Sequence, residues 1–157
     1  MKILNKKEIK KIENKIYSIY NSDLKLSKFA VMEKQYKKEI WLSSKNIFKL
    51  DLKKFNISSL GMYLGRFDKN IKLGVEGSQL VGEKAKKNVC EVEDVWNFIR
   101  GFKIKPTKKI KCDENQYVIV KYEDNIIGSA KLKNNQLESI LPKNRKIKSL
   151  TKKKMPR

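Results

Sequence analysis

The chain has 157 residues, 38 of them Lys or Arg against 17 Asp or Glu, for a net charge of +21, with no histidine and 39% hydrophobic residues. A chain of this length can bury roughly two thirds of its unfolded surface, so a packed core is expected rather than a disordered polycation. No apolar run approaches the ~18 residues of a membrane span, and the lack of histidine removes Ser-His-Asp and Cys-His chemistry along with the commonest general base.

The start MKILNKKEIKKIE places charges where a signal peptide's apolar region would lie, so a cytoplasmic protein is expected, or a nuclear or nucleolar one in a cell with a nucleus. Asn5 followed by Glu8 is a capping box, and Ile9, Ile12, Ile16 and Ile19 then recur at helical spacing, predicting an amphipathic helix over 6–20 with its apolar stripe on the core. After the breaker NSD, the runs Phe29 to Met32 and Ile40 to Leu42 flank a charged turn at Lys37 and Lys38, the pattern of a hairpin. Ser43 or Ser44 can cap a short helix KNIFKLD, which leads through FNISSL into the second half.

From Leu60 onward, short strands with turns every eight to twelve residues suggest a small barrel, with a domain boundary at 58/59. GMYLGRF and IKLGV pair around Asp68-Lys69-Asn70; SQLVGEKAKK is a short helix, VCEV a strand, EDVWNFIR a helix stopped by Gly101, and FKIK a strand ending before Pro106. QYVIVKY, IIGSAKL and LESIL form a three-strand meander around the turns Glu123-Asp124-Asn125 and Asn134-Asn135, with Gly128 marking a bulge or bend. The last fifteen residues carry eight basic side chains and no acid.

Three glycines in LGVEGSQLVG pose the question of a phosphate loop. Gly77 and Gly82 have the four-residue spacing of a Walker loop, but Glu83 and Lys84 stand where Lys and Ser or Thr are required. The dinucleotide fingerprint fails on the spacing of Gly74 and Gly77. The stretch fits a strand-to-helix junction instead. Gly77 would turn the backbone and Ser78 would cap a helix whose amides accept one phosphate, or the glycine would serve only close packing. Arg66, Lys72, Lys84, Lys86 and Lys87 lie near it in sequence and complete a candidate basic surface.

The charge points to polyanions, nucleic acid first, although a lysine-rich composition can arise without a binding role. Among the aromatic residues set between basic ones, Trp96, Phe98 and Tyr117 read as core, whereas Tyr63 and Phe67 are equally suited to stacking on bases. The acids Glu91, Glu93, Asp94, Glu123 and Asp124 fall at a helix start and in a turn, where carboxylates need no catalytic explanation. Cys90 and Cys112 lack CxxC spacing and a histidine partner, so no metal site or cofactor is expected and both read as reduced thiols, Cys90 buried.

The order GMYLGRFDKNIKLGVEGSQLVG, VWNFIRGFKI, QYVIVKYEDNIIGSAKLKNNQLESILPKNRK resembles a PUA domain, an RNA-binding β pseudobarrel. The upstream KFAVMEKQYKKEIWLSSKNIFKL followed by LGMYLGRFDK resembles the two-domain layout of the Nip family of large-subunit ribosome-biogenesis factors. The resemblance implies an α+β protein: a small N-terminal α/β domain over 1–58, a PUA-like domain over 59–148 and a basic tail over 149–157. It also implies a non-catalytic role on structured ribosomal precursor RNA, with a protein partner on the N-terminal domain and RNA contacts from Lys143, Arg145, Lys146 and Lys148. The N-terminal part is shorter than the Nip pattern, and LPKNRK is similar to the end of PUA segments in RNA cytosine methyltransferases. The alternative is therefore an RNA-targeting subunit of a tRNA or rRNA modification enzyme, of cytosine methyltransferase or pseudouridine synthase type.

Overall fold

Asn5 opens the first helix, α1 (Lys6–Tyr20), through the capping box expected from its sequence. Its side chain accepts a hydrogen bond from the Glu8 amide at 2.9 Å, and the Glu8 carboxylate accepts one from the Asn5 amide at 2.9 Å. Such a cap is worth about 1 kcal/mol. Burial of Ile12 and Ile16 on the same helix contributes about 2 kcal/mol each, so the apolar stripe rather than the cap holds α1 on its sheet.

The computed structural model describes residues 1–51, 54 and 59–147. Its first sheet runs β1 (Lys2–Ile3), β2 (Phe29–Lys34), β3 (Glu39–Ser44), β4 (Met62–Phe67) and β5 (Ile71–Leu73) in that spatial order, every neighbour antiparallel. The Ser44 hydroxyl accepts from the Asn46 amide and caps a 3₁₀ turn, Lys45–Lys49. The connection expected over 55–60 lies outside the described residues up to position 58, as do Lys148 and the basic tail expected over 149–157. Beyond that connection, β4 hydrogen-bonds onto β3 and β5 onto β4, so the N-terminal sheet extends to Leu73.

Helix α2 (Val75–Gly82) leads to the second sheet, built from β6 (Val89–Glu91), β7 (Lys108–Ile110), β8 (Tyr117–Tyr122), β9 (Asn125–Lys133) and β10 (Gln136–Ser139) in the order β10-β9-β8-β6-β7. Only β6 and β8 run parallel, joined by a crossover through α3 (Val95–Ile99) and β7. The meander expected from three apolar runs is β8-β9-β10, and its second turn places both Asn134 and Asn135 at positive φ, as a two-residue hairpin turn requires. Gly128, at φ 147°, sits where the β8–β9 register shifts, which is the bulge its position in a strand suggested. The architecture is mixed α+β, with two mostly antiparallel sheets and three α-helices among the described residues. No helix among them is long and apolar enough to cross a membrane.

Two elements differ from expectation. The FKIK strand is reduced to a single bridge, Ile104 to Leu137, and the pairing strand is β7 instead, because only Ile104 of that run finds a buried slot. The second helix begins at Val75 with Gly74 as its N-cap, so Ser78 lies inside the helix and does not cap it. Its hydroxyl lies 2.7 Å from the Gly74 carbonyl and 2.5 Å from the Ser129 hydroxyl, fully buried.

One core packs Ile12, Ile16 and Tyr20 of α1 against Val31, Ile40, Leu42, Leu64, Ile71 and Leu73, and draws in Val81, Val89 and Ile119. The other gathers Cys90, Phe98, Ile104, Val118, Val120, Leu132 and Leu137. Buried polar groups tie the layers together: Ser22 Oγ donates to Val81 O at 2.9 Å, Asn88 Nδ2 to Ile19 O at 2.7 Å, and Tyr20 Oη to Tyr117 O at 3.3 Å. At Gly77, α2 approaches β4 so closely that a Cβ would lie 1.9 Å from the Leu64 carbonyl oxygen. Alanine there improves helix propensity by about 1 kcal/mol but forces backbone from backbone, at a cost of about 3 kcal/mol. Gly77→Ala is therefore expected to cost a net of about 2 kcal/mol in stability, read as a lower midpoint in urea titration. Gly82→Ala, whose Cβ meets the flexible tip of Ile126 at 2.6 Å, should cost less in the same titration.

Candidate nucleic-acid interface

In the β4–β5 hairpin, Arg66 and Lys72 are direct cross-strand partners and project from the same face. Like charges in that position repel at a Cβ separation of about 5 Å. On its other side Arg66 stands in register with Glu39 of β3, so the row Glu39-Arg66-Lys72 keeps one positive charge in excess. Two exposed cations side by side on a short hairpin are a stability cost that a bound anion would relieve.

Both cations line a cleft of about 600 Å³ between this hairpin, the start of α2 and the segment after β10. Its apolar walls include Leu73, Val75, Ile140, Leu141 and Pro142, and Tyr63 closes one side with its ring packed against Trp41 at a centroid distance of 5.1 Å. Burial, reinforced by the Glu39 carboxylate, raises the Tyr63 phenol above its ordinary value, so at neutral pH it remains a protonated hydrogen-bond donor. From the far end of the chain, Arg145 enters the same cleft on a 3₁₀ turn, Lys143–Arg145, and pairs with Glu76 at 2.6 Å.

Arg66 and Lys72 also border a neighbouring recess of about 240 Å³ floored by Tyr117. Lys72 Nζ stands 5.2 Å from the Tyr117 ring centroid and Lys131 Nζ 5.8 Å from it, so two cations approach one ring, which is itself largely buried as its core reading expected. The cleft and recess together offer cations for phosphates beside aromatic and apolar surface for a base, the combination that binds unstacked nucleotides. Among the described residues no group of three or more His, Cys, Asp or Glu is placed to hold a metal ion.

Of the residues singled out from the sequence, the fold brings Arg66, Lys72 and Arg145 together. Gly77 and Ser78 lie behind the cleft, buried against β4 and β9, and the contacts of Gly77 fit the close-packing reading; the part of the junction that reaches the cleft is the helix start, Gly74, Val75 and Glu76. Lys84, Lys86 and Lys87 leave the other end of α2 and settle beside the end of α1. There the Lys86 and Lys87 amides donate to Tyr20 O, Lys84 pairs with Asp23 at 3.9 Å, and Lys87 pairs with Asp113 at 3.6 Å. Lys143 is exposed but does not line the cleft, while Lys146 is partly buried, its aliphatic stem lying over Gly101. Lys148 lies outside the described residues.

Sequence reasoning missed Lys131 and Glu76. Lys131 alternates outward on β9 like any surface strand lysine, and only its position over Tyr117 distinguishes it. Glu76 falls before the helix start expected at Ser78, and only the fold places it in the first turn of α2. Compared with known proteins, the chain matches no family profile and no curated sequence.

Among the described residues that line the cleft, Glu76 is the one carboxylate beside three cations, and it both occupies Arg145 and repels an incoming polyanion. Glu76→Gln is expected to tighten binding of a short RNA or heparin fragment by roughly threefold to tenfold in fluorescence anisotropy, about 1 kcal/mol. Because the pair is largely exposed, the thermal midpoint should hardly move.

Proposed function

We propose that the protein is a non-catalytic RNA-binding protein that engages structured RNA through the cleft between the β4–β5 hairpin and the segment after β10. The observation that carries this reading is the convergence of Arg66, Lys72 and Arg145, far apart in the chain, beside Tyr63 and next to the Tyr117 recess. Three cations against one carboxylate in a cleft with an aromatic wall suit a phosphate backbone carrying unstacked bases better than a small apolar ligand. The net charge of +21 supplies long-range attraction, and the cleft supplies a place for contacts.

The resemblance to PUA domains fits this proposal. The β8-β9-β10 meander, the parallel β6–β8 pair and the Ile104–Leu137 bridge that extends the β10 edge are compatible with a PUA-like pseudobarrel. In this reading, the chain acts in ribosome biogenesis on precursor ribosomal RNA, in the cytoplasm or in the nucleolus of a cell with a nucleus. The α1-bearing N-terminal layer would hold a protein partner.

The test is a salt titration of RNA binding with wild type and with the triple variant Arg66→Ala, Lys72→Ala, Arg145→Ala. Each lost phosphate contact should lower the slope of log K against log salt by about one, so the variant's slope should fall by two to three units. Lys84→Ala with Lys86→Ala should change affinity far less, since those side chains lie apart from the cleft. A salt-independent wild type would overturn RNA binding itself. A triple variant that binds like wild type would remove the cleft from the interface.

A further inference from the structure

The chain has two cysteines, and the fold brings them into contact. Cys90 on β6 is fully buried in the second core, whereas Cys112 is partly exposed just past β7, with its Sγ 3.4 Å from Cys90 Sγ. Lys111, at φ 45°, turns the chain after β7 so that Cys112 folds back over β6, where its thiol donates to Val89 O at 3.2 Å. The next residue is anchored as well: the Asp113 amide donates to Asn88 Oδ1 at 3.0 Å, and Asn88 itself is held by Ile19 O. The β6–β7 ladder, in which Cys90 faces Lys109, constrains the pair from the other side. No third metal-ligating side chain joins them among the described residues.

We propose that Cys90 and Cys112 form a reversible oxidation site, a dithiol that small-molecule disulfides convert into an intramolecular disulfide in the folded protein. Bond formation requires the sulfurs to close from contact distance to about 2.05 Å, a movement of about 1.4 Å that side-chain torsions can supply. Access sets the order of events. Cys112 is the partly exposed residue of the two, and the hydrogen bond from Cys90, aided by the Lys109 cation, favours its thiolate. Cys90 is held in the thiol form by that same hydrogen bond and by burial.

In the first step the Cys112 thiolate attacks one sulfur of the small disulfide, whose S–S bond breaks as a mixed disulfide forms. One small thiolate leaves and takes up the proton released by Cys112. Cys90 then loses its proton to solvent and attacks Cys112 Sγ, expelling the second small thiolate, which is protonated in turn. The protein's two thiols are thereby oxidised to one disulfide, and the small disulfide is reduced to two thiols. In a reducing cytoplasm the dithiol persists, and the disulfide accumulates as the small-thiol pool becomes oxidised.

Oxidation would tie β6 to the segment after β7, across 22 positions of chain that include α3. It therefore stiffens the β7 edge, the side of the second sheet opposite the β9 and β10 strands next to the cleft. This proposal stands independently of RNA binding.

The experiment incubates the folded full-length protein with oxidised glutathione and follows it by intact mass and peptide mapping. Expected are the loss of two hydrogens, a Cys90–Cys112 cross-linked peptide, a thermal midpoint higher by about 5 to 10 °C and reversal by dithiothreitol. Cys90→Ser should stop at the mixed disulfide on Cys112, and Cys112→Ser should leave Cys90 unreactive while folded. Wild type that accumulates a stable mixed disulfide with Cys90 free, or that reacts only after unfolding in urea, would overturn the proposal without reference to either variant. A Cys112→Ser protein that reacts as fast as wild type would overturn the assigned order of attack.

Discussion

The packing of α2 between β4 and β9 is the constraint on which the rest of the molecule depends. On one side Gly77 allows backbone contact with Leu64, a distance that no side chain fits. On the other, Ser78 and Ser129 share a buried hydrogen bond at 2.5 Å, which satisfies two hydroxyls that would otherwise be costly to bury. With the helix held to both sheets, its first turn has one available position. That position sets Val75 and Glu76 as a wall of the cleft and places Glu76 within reach of Arg145. The cleft is thus a consequence of how two sheets are spliced, rather than a feature of any one loop.

Charge is distributed according to a similar logic. Several acids secure turns and junctions: Asp68 pairs with Lys38 across the hairpin tips and also accepts from the Lys15 ammonium through its backbone carbonyl. Its carboxyl is held below the ordinary range chiefly by the Lys38 hydrogen bond. Asp23 and Asp113 similarly meet Lys84 and Lys87 where α1 and α2 end. The Asp23 and Asp113 junctions, neutralised in this way, lie apart from the cleft. The Arg66–Lys72 row is different, because two cations stand directly opposite each other and the nearest acid in register faces only one of them.

Much of the local structure was legible in the sequence. Ile12 and Ile16 at helical spacing behind an Asn5–Glu8 capping box define α1, and paired asparagines at positions 134 and 135 define a hairpin turn, since each signal is complete within a few neighbouring residues. Where local signals were ambiguous, the reading failed. Ser78 before an apolar run looks like a helix cap, but the cap is Gly74, because only a helix starting there buries Ser78 against Ser129 and brings Gly77 onto Leu64. The alternation in FKIK has the period of a strand, yet one residue of it bridges, since a strand needs a partner edge as well as a pattern.

From the sequence alone follow the excess of positive charge, the exclusion of histidine-based catalysis, the helix and hairpins with self-contained signals, and a core sufficient for an α+β fold. Which lysines and arginines act together was decided only by the tertiary structure. Arg66 and Arg145 are joined in one cleft, Lys84 and Lys86 are carried away from it, and Cys90 is set against Cys112. The reason is that side-chain type and spacing encode interactions along one element, whereas convergence between elements is set by how closely backbones approach. That distance depends on the shape of every packed neighbour at once.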